Sequence, residues 1–199
     1  MNFSMNRIFM RLDPEGIAAG VFGLYYKLQS FFFMPLFGLN NATISIVAFN
    51  YGSRQPKRIL KTLKVACGIA FGIMMVGLLS FQIFPAQLLG LFGERFAVYG
   101  ISALHIISWH FPIAAFCIVL GATFQALGNG IYSTITALCR QLIALLPAAY
   151  LLSLTGDVNA VWWAFPIAEL VSLLATSFFF ARIYKQKIRP LFDEDPVSV

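Results

Sequence analysis

Residues 65–93 run without a single charged side chain. About 20 consecutive apolar residues in helical form cross a hydrocarbon core of about 30 Å, so this run alone is long enough to span a bilayer. Inside lipid no water is available to satisfy backbone groups, and a helix satisfies its own. The rest of the chain follows suit, since only 11% of its 199 residues are charged and 59% are hydrophobic. Soluble domains carry roughly 25% charged residues, and a chain this poor in charge cannot clothe a water-facing surface. The fold class is all-α, a polytopic helical membrane protein.

Five spans are expected, at about 17–49, 65–84, 96–127, 131–154 and 160–184. The first would be roughly 50 Å long at 1.5 Å per residue, so it must tilt or project from the bilayer. Pro35, Pro112, Pro147 and Pro166 fall inside apolar runs, where each removes a backbone donor and bends or breaks a helix. Gly68 and Gly72 form a G-x-x-x-G step, with Gly77 further on, and such residues let helices approach closely in lipid. Gly128-Asn129-Gly130 reads as a tight turn. Residues 1–16 read as the remnant of a preceding helix and an outer loop, because Asp13-Pro14-Glu15-Gly16 is strong turn chemistry. Residues 190–199 read as a short acidic cytoplasmic tail without core-forming side chains.

Direction comes from charge. Arg54, Lys57, Arg58, Lys61 and Lys64 follow the first span at once, and Arg182, Lys185, Lys187 and Arg189 close the last. The positive-inside rule puts both clusters, and the carboxyl terminus, in the cytoplasm. The formal net charge of +6 is thereby accounted for by topology, and nucleic acid is not expected as a partner. Cys67, Cys117 and Cys139 lack metal-ligand or redox spacing and read as buried thiols. No uninterrupted apolar core of a signal peptide is present in residues 1–12.

Ionisable groups within spans are costly and mark cavities or partners. Arg140 and Glu169 lie on consecutive antiparallel spans at heights differing by roughly 8 Å at 1.5 Å per residue, a gap that a guanidinium side chain bridges. Both are expected to face the bundle interior, as a transport element or as a structural ion pair. His105 and His110 are about 140° apart on a helix and cannot share a metal without unwinding. His110 lies beside the Pro112 break, where loosened backbone lines water, so it is either a proton or substrate group or a hydrogen-bonded packing residue. Lys27 lies near the outer interface, where it snorkels or faces a cavity. The chain has no H-E-x-x-H, no G-x-x-x-x-G-K, no G-x-S-x-G and no paired carboxylates within a span. An enzyme is not expected, and uphill transport would have to draw on an ion gradient.

Gly38-Leu39-Asn40, Phe49-Asn50-Tyr51-Gly52-Ser53 and Pro56-Lys57-Arg58 resemble the MATE family of multidrug and toxin extrusion transporters. Phe124-Gln125-Ala126-Leu127-Gly128-Asn129-Gly130 is similar to the glutamine-and-glycine turn in the carboxyl half of that family. Leu138-Cys139-Arg140 through Pro147, and Trp162-Trp163-Ala164-Phe165-Pro166-Ile167-Ala168-Glu169, resemble that half's last two helices. The resemblance implies most of the second of two six-helix lobes, and an amino-terminal lobe as partner. It also implies cation-coupled export, by protons or sodium ions, of small organic and often cationic compounds, without an organic cofactor. It adds Gln125 to the transport candidates Glu169, Arg140, His110 and Lys27. Two departures stand out: the acidic residue of the lobe's first helix would precede Met1, and 96–127 has histidines where some members place a sodium-binding carboxylate. The alternatives are a flippase of the same superfamily, moving lipids or polysaccharides, and a non-transporting remnant.

Overall fold

The computed structural model describes residues 1–193, all of it helical or turn with no strand among the described residues. A short helix α1 (Asn2–Leu12) leads by a tight turn into the long α2 (Ile17–Gly52). Asp13 makes that turn work: its carboxylate accepts from the Ala18 amide at 2.7 Å, satisfying one of the free donors at the start of α2. Gly16, just before α2, takes a left-handed φ of 76°, which glycine adopts at little steric cost. α1 is not a loose end. Its Met5 and Phe9 are fully buried, and Phe9 stacks on Trp162 with centroids 4.3 Å apart.

α2 ends in a two-bond C-cap in which the Gln55 amide reaches the Asn50 carbonyl and the Arg54 amide that of Tyr51. This geometry puts C′ in the left-handed region, and Arg54 occupies it with φ 52°. α3 (Pro56–Ile83) then starts at once. The apolar span expected from residue 65 is carried by a helix that starts earlier, taking in most of the basic cluster. Pro56 at the first turn has a preset φ and no donor to waste, and Lys and Arg are good helix formers.

The third run is broken as Pro112 requires. α4 (Pro85–Gly90) and a short 3₁₀ turn lead into α5 (Ala97–Ser108), and α6 (Phe111–Ala126) leaves it at a 51° bend. Pro112 sits in the first turn of α6, which starts a new helix instead of continuing the old one. α6 closes on Gly128, φ 74°, with the Asn129 amide on the Phe124 carbonyl and the Gly128 amide on that of Gln125.

The fourth run, Gly130–Ser153, is α7 (Gly130–Leu138), a π-helical stretch Cys139–Leu145, and α8 (Leu146–Ser153). Pro147 follows the wide turns directly. Its missing N–H and ring clash prevent the regular i→i−4 ladder beneath it, and the wider i→i+5 pitch takes up the mismatch. The last run, Val158–Phe192, comprises α9 (Val158–Trp162), α10 (Ala164–Ile183), a second π stretch Tyr184–Ile188 and α11 (Arg189–Asp193). It extends past the expected end at residue 184 and takes up part of the expected acidic tail, whose residues from 194 lie outside the described ones. Asp157 caps α9, accepting from the Asn159 amide at 2.8 Å. At the opposite end Lys187 donates to the Leu127 carbonyl, the C-terminus of α6, where a cation complements the free carbonyls.

Among the described residues four helices are long and apolar enough to cross a membrane, five when α5 and α6 count as one broken span. The outward faces are apolar: Phe31, Leu174 and Phe178 are 76%, 73% and 66% exposed, an arrangement suited to lipid. The glycine spacing divides in an unexpected way. Gly77 is the close-packing position, where a Cβ would lie 3.0 Å from the Phe111 ring and 3.1 Å from Phe32. Gly68 and Gly72 face outward, with nothing within 4 Å of such an atom, so the G-x-x-x-G step joins no helix of the described bundle.

Candidate functional site

Glu169 lies in the second turn of α10, 3% exposed in a face shared with buried Ser172 and Thr176. Residues three and seven positions on share one helical face, so this is a polar stripe turned inward. From the facing π stretch Arg140 reaches it, Nη1 to Oε2 at 3.5 Å. That is long for a charge-assisted bond, where N···O is usually about 2.7–2.9 Å. Both partners are under-satisfied. Glu169 Oε1 is buried without a hydrogen-bond partner, and the Glu169 contact is the one hydrogen bond of the Arg140 side chain among the described residues. Their exposures differ sharply, 31% for the arginine side chain and 4% for the glutamate. The positive member faces open space and the negative member is held in the wall.

That open space is double. Arg140 lines a cavity of about 220 Å³ with Glu169, Tyr25, Tyr26, His110 and Phe165. It also lines a second, of about 160 Å³, with Asn40, Gln125, Ser133, Thr136 and Ser172. Arg140 is the residue common to both linings. Cys117 of α6 presents its thiol to Glu169 and Ser172.

His110 occupies the corner between α5 and α6, its ring fixed at both nitrogens. Nδ1 faces the Ile107 carbonyl, which only accepts, so Nδ1 carries a proton. In the neutral ring Nε2 is then the acceptor for the Tyr25 hydroxyl, 3.4 Å away. Phe165 packs on Tyr25 at 5.6 Å between centroids and on His110 at 6.5 Å.

The structure therefore brings together Arg140, Glu169 and His110 around one cavity. It places Gln125 in the adjoining one, where its amide donates to Ser133 Oγ at 3.0 Å. Lys27 is exposed on α2 and contributes to neither cavity. His105 belongs elsewhere: its carbonyl accepts from Gln82 and Ser108. Tyr25, Tyr26 and Cys117 were missed by reading the sequence, since tyrosine and cysteine in an apolar run are indistinguishable from core. The i, i+3, i+7 spacing of Glu169, Ser172 and Thr176 was the signal that could have extended the site.

The MatE family model matches residues 1–151. The chain belongs to the MatE family. Among curated relatives, this MatE chain is 24% identical over 174 residues to a probable multidrug resistance protein, YoeA, of Bacillus subtilis (strain 168), covering 85% of the chain and 38% of the relative. It is 23% identical over 162 residues to the multidrug export protein MepA of Staphylococcus saprophyticus, covering 79% of the chain and 35% of that protein. Among solved structures it is similar to an inward-facing multidrug resistance MATE family transporter of the MOP superfamily, at TM-score 0.85 and 22% identity. That likeness covers 99% of this chain and 44% of the other. An outward-facing transporter of the same description gives TM-score 0.85 at 22% identity, with coverages of 95% and 42%. The MatE chain thus spans well under half the length of the relatives it matches, with the fold of one lobe, and it is a multi-pass membrane protein.

Proposed function

We propose that the chain is the carboxyl-terminal lobe of a cation-coupled exporter of small organic compounds, and that the Arg140–Glu169 pair is its proton-responsive element. The observation that carries this reading is a loosely engaged ion pair, its carboxylate buried and its guanidinium partly exposed, in the wall of an aromatic cavity. With Glu169 ionised the pair is neutral, and Tyr25, Tyr26 and Phe165 offer ring faces that attract an organic cation. A proton on Glu169 leaves the Arg140 charge uncompensated beside the same cavity, and a cationic compound is repelled. Proton and compound then weaken each other's binding by the same factor, which is the linkage that exchange across a membrane requires.

The guanidinium 3.5 Å from the carboxylate favours a proton over a sodium ion as the coupling species, because a metal cation at Glu169 would meet that charge directly. Equal likeness to inward-facing and outward-facing transporters supports a lobe that keeps its internal fold while rocking against a second one. In this reading the chain works with an amino-terminal lobe in the plasma membrane, with its carboxyl terminus in the cytoplasm.

The test is proton release from acid-loaded everted vesicles on addition of a lipophilic cationic dye, with the chain expressed alone and with a MATE amino-terminal lobe. Dye-dependent proton release that disappears in Glu169→Gln supports the reading. Sodium-driven release at constant pH would replace the proton by sodium. Turnover of a polyprenyl-linked lipid without dye efflux would favour a flippase, and no movement of either with both lobes present would make the chain a non-transporting remnant.

A further inference from the structure

A second feature lies away from the ion pair, on the face that α2 and α3 share near the Gly52–Pro56 turn. They enclose an open groove of about 630 Å³. Its floor is apolar, with Leu39, Ile46 and Phe49 on α2 and Val65 and Ile69 on α3, and Arg58 and Lys61 stand at its mouth. Phe49 is 70% exposed and Val65 52%, so no part of the described chain covers it.

We propose that this groove is a binding site for one anionic phospholipid, with an acyl chain along the α2–α3 floor and the phosphate between Arg58 and Lys61. Three observations converge on that occupant. The first is depth: from Asn50 to Leu39, both in the lining, the helix rises roughly 16 Å at 1.5 Å per residue, about half of a 30 Å hydrocarbon core. The groove therefore matches a single leaflet. The second is charge: neither the Arg58 nor the Lys61 side chain has a hydrogen-bond or ion-pair partner among the described residues, and the sequence holds no Asp or Glu between Glu15 and Glu94. The charges at the mouth have no anion of their own segment to pair with. The third is position: the two cations are three residues apart on α3, so they are neighbours on one helical face, directly above Val65 and Ile69 on that face. Lys57 and Lys64 lie on α3 as well but outside the groove, so its two cations are distinguished from the general basic surface. The inference does not depend on what the exporter carries or on the ion that drives it.

The test is native mass spectrometry of the full chain released from nanodiscs containing equal amounts of palmitoyl-oleoyl phosphatidylglycerol and phosphatidylcholine. One phosphatidylglycerol is expected to stay bound per chain. Arg58→Gln with Lys61→Gln should lower its retention about 25-fold, as each basic residue near an anionic headgroup is worth about 1 kcal/mol, roughly fivefold. Lys57→Gln with Lys64→Gln removes the same net charge and should change retention less than twofold. Ala42→Trp, an exposed lining position, should abolish retention by filling the floor while leaving the charges intact. Equal loss in the two charge pairs would reduce the effect to diffuse attraction and overturn the site. Equal retention of both lipids, or a groove occupied instead by a second copy of the chain, would overturn it too.

Discussion

Two parts of this molecule hold cations at the edge of a cavity, and they solve the resulting problem differently. Arg140 lies mid-span, and a carboxylate from the next span is drawn up to it. Arg58 and Lys61 lie in the first two turns of α3, at the end of the apolar run, and no carboxylate pairs with them among the described residues. The difference follows depth. A charge in the hydrocarbon region must be paired or face water, whereas a charge at the interface can use headgroups or solvent. Pairing at depth is therefore a structural requirement that can also serve coupling, and its absence at the interface leaves charge available to something outside the chain.

The largest effect is expected from removing one member of the deep pair. Glu169→Ala leaves the partly exposed Arg140 uncompensated and should cost up to about 3 kcal/mol, read as loss of the folded fraction in detergent melts. Arg140→Met with Glu169→Leu removes both charges and should recover most of that stability, while dye-dependent proton release stays absent. If the double variant exports normally, the pair is structural only. Next in size is Gly77→Leu, which drives a side chain into Phe111 and Phe32 and should cost about 1–3 kcal/mol, seen as a lowered melting temperature. Tyr25→Phe deletes the hydroxyl on His110 and should cost about 1 kcal/mol. Its informative readout is the NMR signal of the His110 ring, which should shift even where transport is unchanged.

The fold was largely legible because lipid imposes a simple rule on apolar runs, and because proline and glycine act locally. Pro112 marked the α5–α6 corner and Gly128 the end of α6 from sequence alone. The start of α3 was not legible by hydropathy, since helix propensity continues through Lys and Arg where apolarity stops. Gly68 and Gly72 show the limit of spacing arguments: small residues permit close approach without specifying which neighbour comes close. At the site, Arg140 and Glu169 stood out because charge within a span is rare. Tyr25 and Cys117 did not, because only the fold turns them toward the carboxylate.

The π stretch Cys139–Leu145 has a consequence for how this helix tolerates change. A wide turn acts as a phase slip, so side chains before and after it are set in different rotational frames. Below it Tyr132 stacks on Phe179 at 4.8 Å, while above it Leu146 and Tyr150 border the groove against α1. The two contacts need not keep step with each other. Loss of one residue inside the stretch would tighten it to ordinary pitch and leave both flanking frames in place, and Arg140 sits at the seam.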